Sequence, residues 1–230
     1  MAGEEEWRGV LEAARLSDLA AGLRRYFAAV VAAFSFFFYG AVATSYWLAV
    51  AAIGLLTGAE DEPVFWVTAT LVMVPVFVLA GILSGTVSPR VGSKTWKRKG
   101  RLAGLIFILV FASAYVIAGA LPPAVYSVVW YPALAAALLT IHFFVEREAY
   151  RRGEVTARPF LVSGFLVLAT TPLVLCVAVQ HLQAGWMLAL SLMLASYSTA
   201  AFAALRGATR VLEARGGREG GEVRGPPEGG

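Results

Sequence analysis

His142 and Glu146 are the first residues to inspect for chemistry. An imidazole and a carboxylate four positions apart share one face of a helix. Such a pair makes half of a metal or proton site. It also suits a plainer role, with the imidazole packing or capping at a membrane interface, and that is the expected reading. The other histidine, His181, falls at a predicted turn on the opposite side of the molecule. The two therefore cannot ligate one haem or one metal within a single chain.

The nucleophile candidates are weaker. Ser163-Gly164 and Ser84-Gly85 match the Ser-Gly half of the Gly-x-Ser-Gly motif of six-helix intramembrane serine proteases, but Leu161 and Ile82 stand where that motif needs glycine. No histidine is predicted at a matching depth. A single cysteine, Cys176, excludes an internal disulfide and a thiolate zinc site. Asparagine is absent, so there is no glycosylation sequon. The acidic residues all lie outside the long apolar runs or at their ends, which argues against a carboxylate-driven pump, a voltage sensor or an aspartyl dyad. The sequence thus predicts no catalytic residue, no metal site, no cofactor and no enzyme activity.

The elements that position these residues follow from the apolar runs. Hydrophobic residues make up 59% of the 230 and charged residues only 15%, too few to clothe a water-soluble domain, which carries about 25%. Mean hydropathy is +0.71. Four runs, 26–59, 63–89, 102–145 and 159–205, contain no Asp, Glu, Lys or Arg. About 20 helical residues cross a bilayer, so the first two runs hold one span each and the last two hold two each. Leu121-Pro122-Pro123 breaks the third run, and the polar patch from Gln180 to Gly185 breaks the fourth. The expected class is all-α: a polytopic membrane bundle of six transmembrane helices in three hairpins, at about 26–57, 63–86, 102–120, 123–145, 159–180 and 184–205.

Charge orients this bundle. All nineteen Lys and Arg residues fall before, between or after the hairpins, and none falls in the three opposite turns. Basic residues near spans stay on the cytoplasmic side, so both termini are expected in the cytoplasm, with the protein in the cell membrane. A single span over 102–145 would put two basic loops on opposite sides and erase the bias. Trp47, Trp66, Trp130 and Trp186 cluster toward the outer ends of their helices, as an interfacial belt does.

Three parts are expected. Residues 1–25 form a cytoplasmic segment, with a short helix over 4–16 lying on the membrane surface and Ser17 capping the helix that enters it. Residues 26–205 form the membrane domain, and 206–230, rich in glycine toward its end, a disordered cytoplasmic tail. The first span is too long for the bilayer core, and Gly40 and Gly54 are its expected weak points.

Contact surfaces complete the reading. The loop 86–101 carries Arg90, Lys94, Lys97, Arg98, Lys99 and Arg101, which suit anionic lipid headgroups or an acidic partner. Small residues recur at Ser191, Ala195, Thr199, Ala203 and Gly207, with Ser196, Ala200, Ala204 and Ala208 as a neighbouring row. Gly81 and Gly85 add a second small-residue pair. Such rows let helices approach closely, inside the bundle or toward another subunit. Pro75, Pro132 and Pro172 sit inside spans, and with hydroxyls such as Tyr131, Thr170, Thr171, Ser196 and Tyr197 they suit either a small polar cavity or ordinary interhelical hydrogen bonds. The expected function is a scaffold or anchor subunit of a larger membrane complex. The alternative is a permease for an uncharged or lipid-like substrate, paired with a separate cytoplasmic ATPase. Expected partners are the bilayer, anionic headgroups, and other membrane subunits or further copies of the chain, with no nucleic acid.

Overall fold

The computed structural model describes residues 2–58, 62–87, 94–153, 155 and 157–222. Among them the chain is all-helical, with no strand. The elements are α1 (Ala2–Thr57), α2 (Pro63–Val87), α3 (Lys94–Ala118), α4 (Pro123–Val128), α5 (Trp130–Ile141), a π-helical turn (His142–Glu146), α6 (Arg147–Arg151), α7 (Pro159–Gln180) and α8 (Leu182–Glu222).

Local sequence explains the breaks. Gly58 and Gly153 take positive φ and close the ends of α1 and α6, where a side chain would be strained. Pro122 and Pro123 start α4, the second at a position whose missing N–H costs nothing. The α4–α5 break at Val129 lies three residues before Pro132, whose ring cannot sit against the Val128 carbonyl of a regular helix. The α7–α8 break is sharper than the six-residue patch implied. His181 alone leaves helical geometry, and α8 begins at Leu182.

Two expectations about the ends differ from what is observed. α1 is one helix from Ala2 to Thr57, with no separate helix ending at Ser17. Residues 10–21 contain neither proline nor glycine, and a mid-helix serine costs only a few tenths of a kcal/mol. At the other end α8 continues to Glu222. Residues 208–215, ATRVLEAR, are mostly good helix formers and carry the helix past the membrane run. Residues 223–230 lie outside the described set.

The helices pack in the order α2, α1, α8, α7, α5, α3, with the α1–α8 and α7–α8 contacts the most extensive. Among the described residues α2 packs mainly on α1, so it ends the row on one side as α3 does on the other. The interior is lined by small residues: Ala29, Ala33, Ala43, Ala135, Ala137, Ala189, Ala200 and Ala204 are all buried. Leu134, Leu138, Leu190 and Met193 are buried beside them, and many other large apolar side chains point outward, including Leu71 and Val74 of α2, Ile108 and Val116 of α3, and Phe165 of α7. A soluble domain buries its large apolar residues. An outer surface this rich in large apolar side chains fits a lipid surround, where close backbone packing on small residues helps drive association. Among the described residues, four helical stretches are long and apolar enough to cross a membrane: Trp7–Thr57, Gly100–Ala118, Pro159–Gln180 and Leu182–Thr209.

Glycine sets two of the close approaches. A Cβ on Gly40 would lie 2.7 Å from the Tyr197 ring, so α1 meets α8 there. Gly40 is thus a contact point as well as an expected weak point. A Cβ on Gly185 would lie 2.5 Å from the Ala178 Cα, which leaves only hydrogen at the α7–α8 turn.

Candidate functional site

The ends of the bundle differ in chemistry. At one end Trp47 of α1, Trp66 of α2, Trp130 of α5 and Trp186 of α8 gather into one cluster. The Trp186 ring centre lies 5.8 Å from that of Trp47, 6.1 Å from Trp66 and 5.3 Å from Trp130. Rings this close are in mutual contact. The belt residues picked from sequence therefore converge on one indole.

The other end carries the basic residues and the His142–Glu146 pair. Helix α7 begins without help from its own side chains. Arg158, at the N-cap position, makes no capping hydrogen bond, and Pro159 has no N–H. The next two donors are Phe160 and Leu161. The Phe160 N–H donates to Glu146 Oε1 at 3.0 Å, and the Leu161 N–H to Glu146 Oε2 at 3.2 Å. A carboxylate from a different helix therefore takes the capping role, where the positive end of the helix dipole favours it.

His142 completes the arrangement. Its Nδ1 lies 2.7 Å from Glu146 Oε2, and both side chains are about 5% exposed. The two are joined through the π-helical turn, in which the Arg147 N–H donates to the His142 carbonyl five residues back. Such turns are rare and often mark functional positions. Glu146 follows the apolar run that ends at Val145. Burial raises its carboxyl above the usual range, against the lowering effect of the hydrogen bonds from His142, Phe160 and Leu161. The sequence brought His142 and Glu146 together correctly, but the third member, the start of α7, lies fourteen residues on and carries no side-chain signal.

The other candidates are dispersed. His181 is exposed at the α7–α8 turn, and Cys176 is exposed on α7. Ser163 is fully buried, and its hydroxyl donates to the Pro159 carbonyl of its own helix at 2.8 Å. No cluster of three or more His, Cys, Asp or Glu exists among the described residues. Arg101 is exposed. Lys94, Lys97, Arg98 and Lys99 open α3, but their side chains, like that of Ser84, lie outside the described set, as does Arg90 altogether. Gly81 and Gly85 fall in the last turns of α2. On α8, Ser191, Ala195 and Thr199 are exposed, with Ala203 and Gly207 half-buried. The neighbouring row, Ser196, Ala200, Ala204 and Ala208, is the buried one.

The intramembrane hydroxyls mostly bond nearby carbonyls. Thr171 Oγ1 donates to the Val167 carbonyl and Ser196 Oγ to that of Met193, each at 2.8 Å. Tyr131 and Thr170 share a 2.7 Å hydrogen bond that joins α5 to α7. Two apolar clefts open on the outer surface. One, about 390 Å³, lies between α7 and α8 and is lined by Leu161, Val162, Phe165, Leu166 and Thr199. The other, about 260 Å³, lies between α1 and α2 beside Tyr46 and Phe65.

The chain matches no protein-family model, and no curated protein or solved structure shows significant similarity to it.

Proposed function

We propose that this chain is a non-catalytic, six-span membrane protein that serves as a scaffold or anchor subunit of a larger membrane complex. The observation that carries this reading is the outward face of α8, where Ser191, Ala195 and Thr199 are exposed and Thr199 borders an apolar cleft. Small residues on an outer face leave room for another helix to approach. The row of helices adds to it, because α2 and α3 end the row with apolar faces turned outward.

Six crossings follow from charge parity: α2 and residues 123–145 then join the four longer helices, and both termini lie in the cytoplasm of a cell-membrane protein. Exposed Arg101, Arg147, Arg151 and Arg206 would then face anionic headgroups. Purification in mild detergent followed by native mass spectrometry tests the reading. A stoichiometric partner is the expected result. The chain alone, as monomer or homodimer with a bound lipid or small molecule, would overturn it. That outcome would favour a permease for an uncharged or lipid-like substrate, working with a separate ATPase. The two apolar clefts support this second reading, since both open sideways on the surface that lipid covers.

A further inference from the structure

The His142–Glu146 pair has a property that capping alone does not use. Its geometry accommodates two protonation states without moving a heavy atom. In one, neutral His142 donates its Nδ1–H to the Glu146 carboxylate, and the pair is a buried anion. In the other, the pair holds one more proton and is neutral overall. If that proton rests on the imidazole, Nδ1 still donates to Oε2. If it rests on Oε2, the acid O–H donates to Nδ1 across the same 2.7 Å. In each case Oε1 accepts from Phe160, and Oε2 keeps a lone pair for Leu161.

We propose that His142 and Glu146 form a proton-binding site that makes the joint between the 123–151 segment and α7 sensitive to pH. The site is enclosed, and both residues are buried at a contact between helices of two different hairpins. Among the described residues, charges on the neighbouring elements stay at the surface. On α6, Arg147 and Arg151 are exposed, and exposed Arg152 pairs with Glu148. Arg158, before α7, is exposed and stacks on the Tyr150 ring at 3.7 Å. Arg101 of α3 is exposed. Among the described residues, His142 is the one recorded ion-pair partner of Glu146. A buried pair with a net negative charge is costly, and uptake of a proton removes that cost.

The sign follows from the burial of Glu146, which raises its carboxyl. A raised acid favours the folded state at low pH, and this contribution is lost as pH rises through the raised value. The proposal is independent of which assembly the chain joins. Thermal unfolding of the full chain in detergent, from about pH 5 to about pH 8, tests it against Glu146→Gln. The expected result is that the wild type loses stability relative to the variant as pH rises, by up to about tenfold in the unfolding constant per pH unit. Parallel profiles would overturn the proposal.

A measurement on the wild type stands beside this one, in case the variant does not fold. The chain has two histidines, so ring-nitrogen NMR of a histidine-labelled sample gives two sets of signals, one buried and one exposed. Proton uptake changes the protonation of at least one His142 ring nitrogen in either microstate. The His142 signals should therefore move across the same pH range. Signals that stay fixed throughout it would sink the idea.

Discussion

At one end of the bundle, four tryptophans from four helices meet by ring contact around Trp186; at the other, one carboxylate ties α7 to the preceding helices by hydrogen bonds. Ring contacts are broad and weakly directional, each adding about 0.5–1.5 kcal/mol. Their loss is shared among neighbours that can shift. The carboxylate works differently. It holds three partners at fixed positions, the His142 ring and the Phe160 and Leu161 N–H groups, and removing it strands all three in a buried place. The comparison suggests that the aromatic end tolerates substitution by degrees, while the basic end fails at a single residue.

Glu146→Ala should break the basic end most severely. It leaves His142 buried without its partner and the Phe160 and Leu161 N–H groups unsatisfied, at a cost of about 3–5 kcal/mol. Thermal unfolding in detergent would read this as a large fall in midpoint, and no such fall would remove the contrast between the ends. Trp186→Ala attacks the centre of the other end. The expected cost is about 3 kcal/mol, at the low end of the range for such truncations because lipid surrounds the helices. Tryptophan emission should shift as Trp47, Trp66 and Trp130 lose their common neighbour. Gly40→Ala tests the contact between the two ends. The new methyl would lie 2.9 Å from the Tyr197 Cβ, which side-chain rotation cannot move, so α1 and α8 must shift apart and the expected loss is about 2 kcal/mol by the same unfolding assay.

The helix positions were legible in the sequence for a physical reason. The Pro122-Pro123 pair and the polar patch at 180–185 act locally, and each marks a boundary near where it is observed, whereas α1, α3 and α8 extend past the ends of their uncharged runs. The pairing of His142 with Glu146 was legible for the same reason, because four residues of helix bring them together. What Glu146 does was not. Its partners at Phe160 and Leu161 are backbone groups, which every residue but proline possesses, so no residue type announces them. The two small-residue rows of α8 show the same limit. Both have equal spacing and similar side chains, and only the placement of α1 and α7 around α8 makes Ser196, Ala200, Ala204 and Ala208 the inner row. The tryptophans were legible as residues suited to an interface. That four of them touch depends on the order of the helices.

The turn at His181 has a consequence for how the chain is made. One residue separates α7 from α8, and the backbones touch directly behind it at Ala178 and Gly185. No polar segment stands between the two helices to wait in water while the first one enters the bilayer. If α7 and α8 both cross the membrane, as proposed, residues 159–205 would reach the insertion machinery as one cargo and enter as a folded-back pair. A glycosylation tag or protease site placed at this turn would have to pry the pair apart before it could report anything, while the longer connections elsewhere leave room for one.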